Sequence, residues 1–259
     1  MEIIIAIILA VVQGLTEFLP VSSSGHLVIL QQFMHLDVPL FFDALLHAGT
    51  LVAVLVYFWN DLLQIAIELL NFNTKSKKFQ EGMWIGMASI PIIIVGLLFY
   101  DQVTKLFSSI HAVAIALFVT GVLLVLTKRS KQKGRLTFGK SLIIGVAQAI
   151  AVIPGISRSG STIAAGIFQG VNSAEAARFS FLLSLPAITG AFLLTLYHGF
   201  RDATIQSVDL SYAIGFICSA VVGYIALALL FSIVRKGKLH YFGYYCMCLS
   251  AGILVLIVL

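Results

Sequence analysis

Residues 141–171 read SLIIGVAQAIAVIPGISRSGSTIAAGIFQGV, an apolar stretch interrupted by Pro154, Gly155 and Arg158. How often this stretch crosses a membrane decides the fold. Six uninterrupted apolar runs occur elsewhere, at residues 40–59, 82–100, 110–127, 179–197, 210–234 and 241–259. Each approaches the ~20 residues that a helix needs to span hydrocarbon. Three connections are strongly basic: Lys75, Lys77 and Lys78; Lys128, Arg129, Lys131, Lys133, Arg135 and Lys140; and Arg235, Lys236 and Lys238, together twelve of the 16 Lys and Arg. Such loops stay cytoplasmic, so the chain crosses an even number of times between each successive pair. The runs at 179 and 210 already supply two crossings between the second and third loops. Residues 141–171 must then cross twice or not at all, and 31 residues cannot make two spans. The reading is a re-entrant helix pair that enters from the cytoplasm and returns there. The same parity places residue 40 outside and makes residues 2–35 a second re-entrant pair, entering from outside. Backbone turns at membrane depth only where it is buried in protein or lines a wet cavity, so both pairs point to the functional site.

Composition agrees with this reading. The chain is 60% hydrophobic and 10% charged, with mean hydropathy +1.05, against roughly 25% charged residues in soluble domains. A single integral membrane domain, residues 1–259, is expected. The net charge of +5 lies between apolar runs, which argues for topology and against a nucleic-acid partner. The N-terminal apolar stretch has no preceding Lys or Arg and no small-residue cleavage pattern, so it is not expected to be a signal peptide. Cys218, Cys246 and Cys248 sit in apolar runs and are expected to pack.

The two interrupted stretches are related. An offset of 135 aligns Gln13 with Gln148, Ser22 with Ser157, Ser24 with Ser159 and Gly25 with Gly160; an offset of 137 aligns Phe42, Leu45 and Leu46 with Phe179, Leu182 and Leu183. The expected fold is therefore an all-α polytopic membrane protein with six transmembrane helices and two re-entrant helix pairs. Its halves, about 1–127 and about 138–259, form an inverted-topology repeat meeting near the midplane.

The turns carry the chemistry. The first reads QGLTEFLPVSSSGH (13–26) and the second IPGISRSGST (153–162). In each, Ser and Gly precede an apolar helix, so hydroxyls can cap it and its free N–H groups face the break, a site for an anion. Glu17 and Arg158 would each cost roughly 2.5–3.5 kcal/mol at the bilayer centre and need partners or a function. A structural ion pair between the halves would satisfy the charges alone; the serine run, His26 and two helix starts favour a reactive site. Arg158 offers a planar fork for phosphate. A serine hydroxyl could attack phosphorus with His26 or Glu17 taking its proton. Gln13, Ser22, Ser24, Gly25, Ser157, Ser159 and Gly160 would line the substrate. Asp43 and His47, four apart on one helix face beside the outer entrance, could line the site, with an intrahelical pair the stronger expectation. Arg178 reads as a cytoplasmic anchor, and Tyr57, Trp59, Tyr241, Tyr244 and Tyr245 as an aromatic belt. His35, His111, His198 and His240 fall near helix ends.

At these residues the chain resembles the bacterial undecaprenyl-diphosphate phosphatases, also called bacitracin-resistance phosphatases. QGLTEFLPVSSSGH matches the first signature of that family and PGISRSG the second, and the resemblance covers the whole chain. It implies release of phosphate from undecaprenyl diphosphate to give the carrier lipid for peptidoglycan, a homodimer, and residence in the bacterial inner membrane. Glu17, Ser23, His26 and Arg158 match the essential residues of the family. Ser23 corresponds to the proposed nucleophile, with His26 the chemical alternative. Gln13 stands where many members have Glu, which leaves Glu17 as the one acid able to ligate a divalent cation, Mg or Ca, in that motif. The phosphatidic-acid phosphatases share the Ser-Gly-His turn, yet need a histidine six residues after the arginine, where this chain has Ala164. A secondary transporter or polyprenyl-lipid flippase on the same inverted repeat is the rival reading.

Overall fold

The computed structural model describes residues 2–130, 134–201 and 208–258; Lys131 and Lys133 of the second basic connection, and Leu259 of the last expected span, lie outside the described residues. The described residues form twelve α-helices and a single 3-10 turn, without a strand. Six helices are long and apolar enough to cross a membrane: α3 (Leu40–Tyr57), α5 (Lys77–Leu98), α7 (Ile110–Leu126), α10 (Ser173–Arg201), α11 (Leu210–Arg235) and α12 (His240–Val258). They are the six expected from the sequence. α5 and α10 begin five or six residues before the apolar runs that announced them, because a helix satisfies its own backbone and continues past the hydrocarbon edge on polar side chains.

Four shorter helices form two hairpins, α1 (Ile3–Phe18) with α2 (Ser23–Phe33), and α8 (Phe138–Ile150) with α9 (Arg158–Phe168). The longest, α1, has 16 residues. At 1.5 Å per residue that is about 24 Å, short of the ~30 Å of a bilayer core. Two further helices were not foreseen: α4 (Trp59–Leu70), which buries only Ile65, and α6 (Tyr100–Leu106), which buries nothing.

Contacts between connections fix which helix ends lie together. Arg178 at the start of α10 bonds Asp61 of α4 and Glu81 of α5. Leu136 N–H donates to Glu175, Ser173 donates to the Val234 carbonyl near the end of α11, and Gly134 N–H donates to Gly170 after α9. The segments next to all three basic connections therefore gather at one end of the bundle, and both ends of the α8–α9 hairpin are there too. At the other end, Gln31 of α2 bonds Asp43 of α3, and Tyr100 stacks on His198 of α10 with centroids 4.3 Å apart.

Packing inside the bundle follows a matched pattern. α1 lies mainly against α11, as α8 lies against α5, while α3 meets α10 and α7 meets α12. Small residues allow the close crossings. A Cβ on Gly14 of α1 would stand 2.8 Å from Val222 Cβ and 2.9 Å from the Gly223 nitrogen; on Gly145 of α8 it would overlap the Ala88 carbonyl. Phe42 and Phe179, matched by the repeat, are both fully buried, and Phe18 meets Phe181 edge-on at 5.6 Å beneath the turns. The outer faces carry Ile93, Leu97, Ile115, Ile217, Ile225 and Leu256, all more than half exposed. Apolar surface on that scale belongs in lipid.

Candidate active site

α1 stops where Pro20 follows Leu19, since the residue before proline is driven out of helical geometry. Ser22 then adopts φ 69°, a conformation costing roughly 1–3 kcal/mol in a non-glycine residue. It caps α2: its hydroxyl accepts from Gly25 N–H at 3.3 Å, and its carbonyl accepts from His26 N–H at 3.1 Å. The second turn repeats the device. Ser157 caps α9 by accepting from Gly160 N–H at 3.0 Å, and Gly155 takes φ 93° against α7, where a Cβ would overlap the Val113 carbonyl.

The turns touch reciprocally. A Cβ on Gly25 would meet Gly155 Cα at 3.3 Å, and one on Gly160 would meet Pro20 Cβ at 3.4 Å. Each helix start therefore lies against the turn of the other hairpin, and its opening N–H groups have no acceptor within their own helix.

Between them sits Glu17, 7% exposed. Its Oε1 accepts from Arg158 Nη2. Its Oε2 accepts from Ser23 Oγ at 2.6 Å and from Gln13 Nε2 at 3.0 Å, with His47 Nε2 at 3.5 Å. The sequence motifs at 13–26 and 153–162 thus meet in one cluster, with three donors on one carboxylate and His47 within ion-pair distance of it. Arg158 Nη1 is buried and has no partner among the described residues. A buried guanidinium N–H left unpaired is costly, and it supplies a ready contact for an anion. Ser24 bonds Ser22 at 3.3 Å, and Ser159 bonds Ser157 at 3.3 Å, so both flanking serines line their caps.

His26 is placed differently from the sequence expectation. It makes no hydrogen bond with Glu17 or Ser23; Nδ1 donates to the Ser22 carbonyl at 2.8 Å, and Nε2 faces the Tyr245 hydroxyl at 2.8 Å, the rings stacked with centroids 5.7 Å apart. Its ring is half-buried against α12. Tyr245, read as belt, is its partner.

Three further residues shape the site, of which the sequence offers only His47, as a residue that could line it beside Asp43. His47 was expected chiefly to pair with Asp43. Instead its Nδ1 donates to the Asp43 backbone carbonyl at 2.9 Å while the Asp43 carboxylate accepts from Gln31 at 2.9 and 3.0 Å, which leaves Nε2 turned to Glu17. The i,i+4 spacing carried the face of α3 but not the neighbour across it. Thr120 of α7 donates to the Gly155 carbonyl and accepts from Ser157 N–H, both at 3.0 Å, bracing the second turn. Cys246 of α12 approaches the Pro20 carbonyl at 3.9 Å and braces the first.

A family model described as bacitracin resistance protein BacA matches residues 6–252. An undecaprenyl-diphosphatase of Halothermothrix orenii is 44% identical, over 99% of this chain and 98% of its own length. Those of Korarchaeum cryptofilum, at 39% over 99% of this chain and all of its own, and Rubrobacter xylanophilus, at 40% over the whole of both, are similar. With site geometry and full-length similarity in agreement, the chain belongs to the BacA family.

Proposed function

We propose that this protein hydrolyses undecaprenyl diphosphate to undecaprenyl phosphate and inorganic phosphate at the Glu17 cluster. The observation that carries the reading is the single carboxylate held between Ser23 and Arg158 at the junction of two capped helix starts. The terminal phosphate would bind Arg158 Nη1 and the N–H groups opening α2 and α9, donors that stabilise charge on the equatorial oxygens. Ser23 Oγ attacks phosphorus as its proton passes to Glu17 Oε2, 2.6 Å away. The bridging P–O bond breaks with its electron pair on the lipid monophosphate. Water then cleaves the phosphoserine, and Ser23 recovers its proton.

Both nitrogens of His26 already face protein partners, which favours Ser23 over His26 as nucleophile. His26 Nε2 would reach the departing phosphate only by exchanging its Tyr245 partner. Gln13, Ser22, Ser24, Gly25, Ser157, Ser159 and Gly160 shape the pocket for the diphosphate. The donor set contains one carboxylate, already held by an arginine, and does not suit a caged Mg or Ca, which favours several carboxylate oxygens. No step is therefore routed through a protein-bound metal.

The same reading extends to architecture. The reciprocal contacts of the turns, the matched packing of α1 on α11 and α8 on α5, and the gathering of the basic connections at one end support an inverted repeat with two re-entrant pairs. In that arrangement the Glu17 hairpin enters from outside, and the chain is a multi-pass protein of the inner membrane acting at its outer face. A homodimer, implied by the family resemblance, is tested by cross-linking in native membranes. The transporter reading is not favoured, because full-length relatives are named as diphosphatases.

Purified protein in detergent should release phosphate from undecaprenyl diphosphate, and Arg158→Ala or Ser23→Ala should lower kcat by about 10²–10³-fold or more. Wild-type turnover in both variants would overturn the site.

A further inference from the structure

α3 delivers a side chain to the cluster that none of the reactive motifs contains. His47 lies on the helix that carries Asp43 one turn earlier; Nδ1 is fixed by a hydrogen bond, and Nε2 comes within ion-pair distance of Glu17. The Asp43 carbonyl can only accept, so Nδ1 carries a proton; Nε2, 3.5 Å from Glu17 Oε2, is attractive there only when it too carries one. The Oε2 that His47 faces is the oxygen that accepts from Ser23, whereas Arg158 engages Oε1. The frame behind His47 is itself tied: Gln31 donates to both oxygens of Asp43 and locks α3 to the end of α2, the helix that begins at Ser23.

The second half offers a control. Its counterpart of His47 under the 137 offset is Ser184, fully buried and donating to the Phe181 carbonyl on its own helix; the counterpart of Asp43 is Ser180, bonded to Thr162. Where the second turn has Val152 in place of Glu17, α10 has no donor aimed across to it from that position. The long donor from the spanning helix occurs with the carboxylate and is missing without it.

We infer that His47 is a positioning residue: it donates to Glu17 Oε2 and holds that oxygen on the Ser23 hydroxyl, so the serine and its base keep one geometry while Arg158 is recruited by the diphosphate. This deepens the proposed Ser23–Glu17 chemistry and rests on it. When an incoming anion competes for Arg158, the Oε1 contact weakens and Glu17 depends on the donors to its other oxygen. Gln13 supplies one from its own helix, and His47 supplies one from α3.

The test is steady-state phosphate release from undecaprenyl diphosphate by purified His47→Leu, His47→Asn and His47→Gln, with Ser23→Ala and Arg158→Ala assayed beside them. Leu removes the donor, Asn retains polarity but is too short to reach Glu17, and Gln restores an N–H at that distance without the ring. The expected result is a kcat about 10-fold or more below wild type for Leu and Asn, with KM within about 2-fold, and recovery to within about 3-fold of wild type in Gln. Should Leu fail to fold, Asn carries the comparison. Wild-type kcat in Asn, or a Gln variant as slow as Asn, would overturn the inference. Activity surviving in Ser23→Ala and Arg158→Ala would instead overturn the underlying site, so the two failures are distinguishable.

Discussion

Aligning the first turn on the second pairs Pro20 with Gly155, Ser22 with Ser157 and Gly25 with Gly160, and the paired residues do the same jobs in each. The serines cap, and the glycines let the turns touch. Three of the positions that differ carry the chemistry: Glu17 against Val152, Ser23 against Arg158, His26 against Ser161. One hairpin supplies the acceptor of a proton and the hydroxyl that loses it, and the other supplies the cation that grips the anion. Two helix starts, each against the turn of the other hairpin, make a positive cradle whichever side chains they bear. The difference between the halves therefore converts an anion site into a reactive one.

Removing the carboxylate breaks this division of labour most severely. Glu17→Gln keeps the shape of the side chain, but Ser23 loses its proton acceptor and Arg158 its counter-charge. Phosphate release should fall about 10³-fold, within the range that general-base removal gives. Leaving Arg158 without an anion should also cost about 3 kcal/mol of stability, read as a lower melting temperature in detergent. The counterpart change, Val152→Ala, should leave turnover within about 2-fold, since nothing charged depends on it. Equal losses at the two positions would show the halves to be chemically equivalent and sink the comparison.

The braces behind the turns sharpen it at a smaller scale. Thr120 satisfies both a carbonyl and an N–H of the second turn, whereas Cys246 offers the first a weak sulfur contact at 3.9 Å. Thr120→Val leaves two buried backbone groups unpaired and should cost about 2 kcal/mol; Cys246→Ala should cost about 1 kcal/mol, mainly from lost packing. Thermal unfolding of the two variants in one detergent decides the order.

Much of this was legible in the sequence because membrane proteins obey few rules strictly. Length and apolarity announced all six candidate spanning helices, the charge of the loops told which ends gather, and the shared spacing of Ser22-x-Ser24-Gly25 and Ser157-x-Ser159-Gly160 pointed to two turns of one design. Glu17 and Arg158 were singled out because charge is costly in hydrocarbon. The surface helices α4 and α6 were missed because they lie in polar connections and bury almost nothing, so they leave little pattern. The braces, and the approach of His47 to Glu17, were missed for another reason. Thr120 is one hydroxyl in an apolar span, and Tyr245 and Arg178 look like interfacial anchors until the helix across from them is known. Spacing along a helix gives the face a residue occupies; the partner on the next helix comes only from packing.

A second ionic cluster at the basic end tests whether burial is what makes the Glu17 pair matter. Arg178 bonds Asp61 at 2.7 Å and Glu81 at 3.0 Å, and Lys78 joins them, with side chains 12–30% exposed against 6% for Glu17. Burial works to raise the carboxyl of Asp61, but hydrogen bonds from Arg178 and Lys78, with their charges, outweigh it and hold the group below the usual carboxylate range. A group whose folded value is depressed stabilises fully above its unfolded value, near 3.9, and loses that contribution as pH falls through the folded one. Asp61→Asn should therefore cost about 1 kcal/mol at pH 7, an exposed pair being screened by solvent and salt. The difference from wild type should shrink in 1 M salt and begin to fade as pH falls below about 4, disappearing only once pH has passed the depressed folded value, while turnover in detergent stays unchanged. A cost that persists in high salt would mean that this cluster, like Glu17 and Arg158, is shielded from water, and the contrast between the two ion pairs would fail.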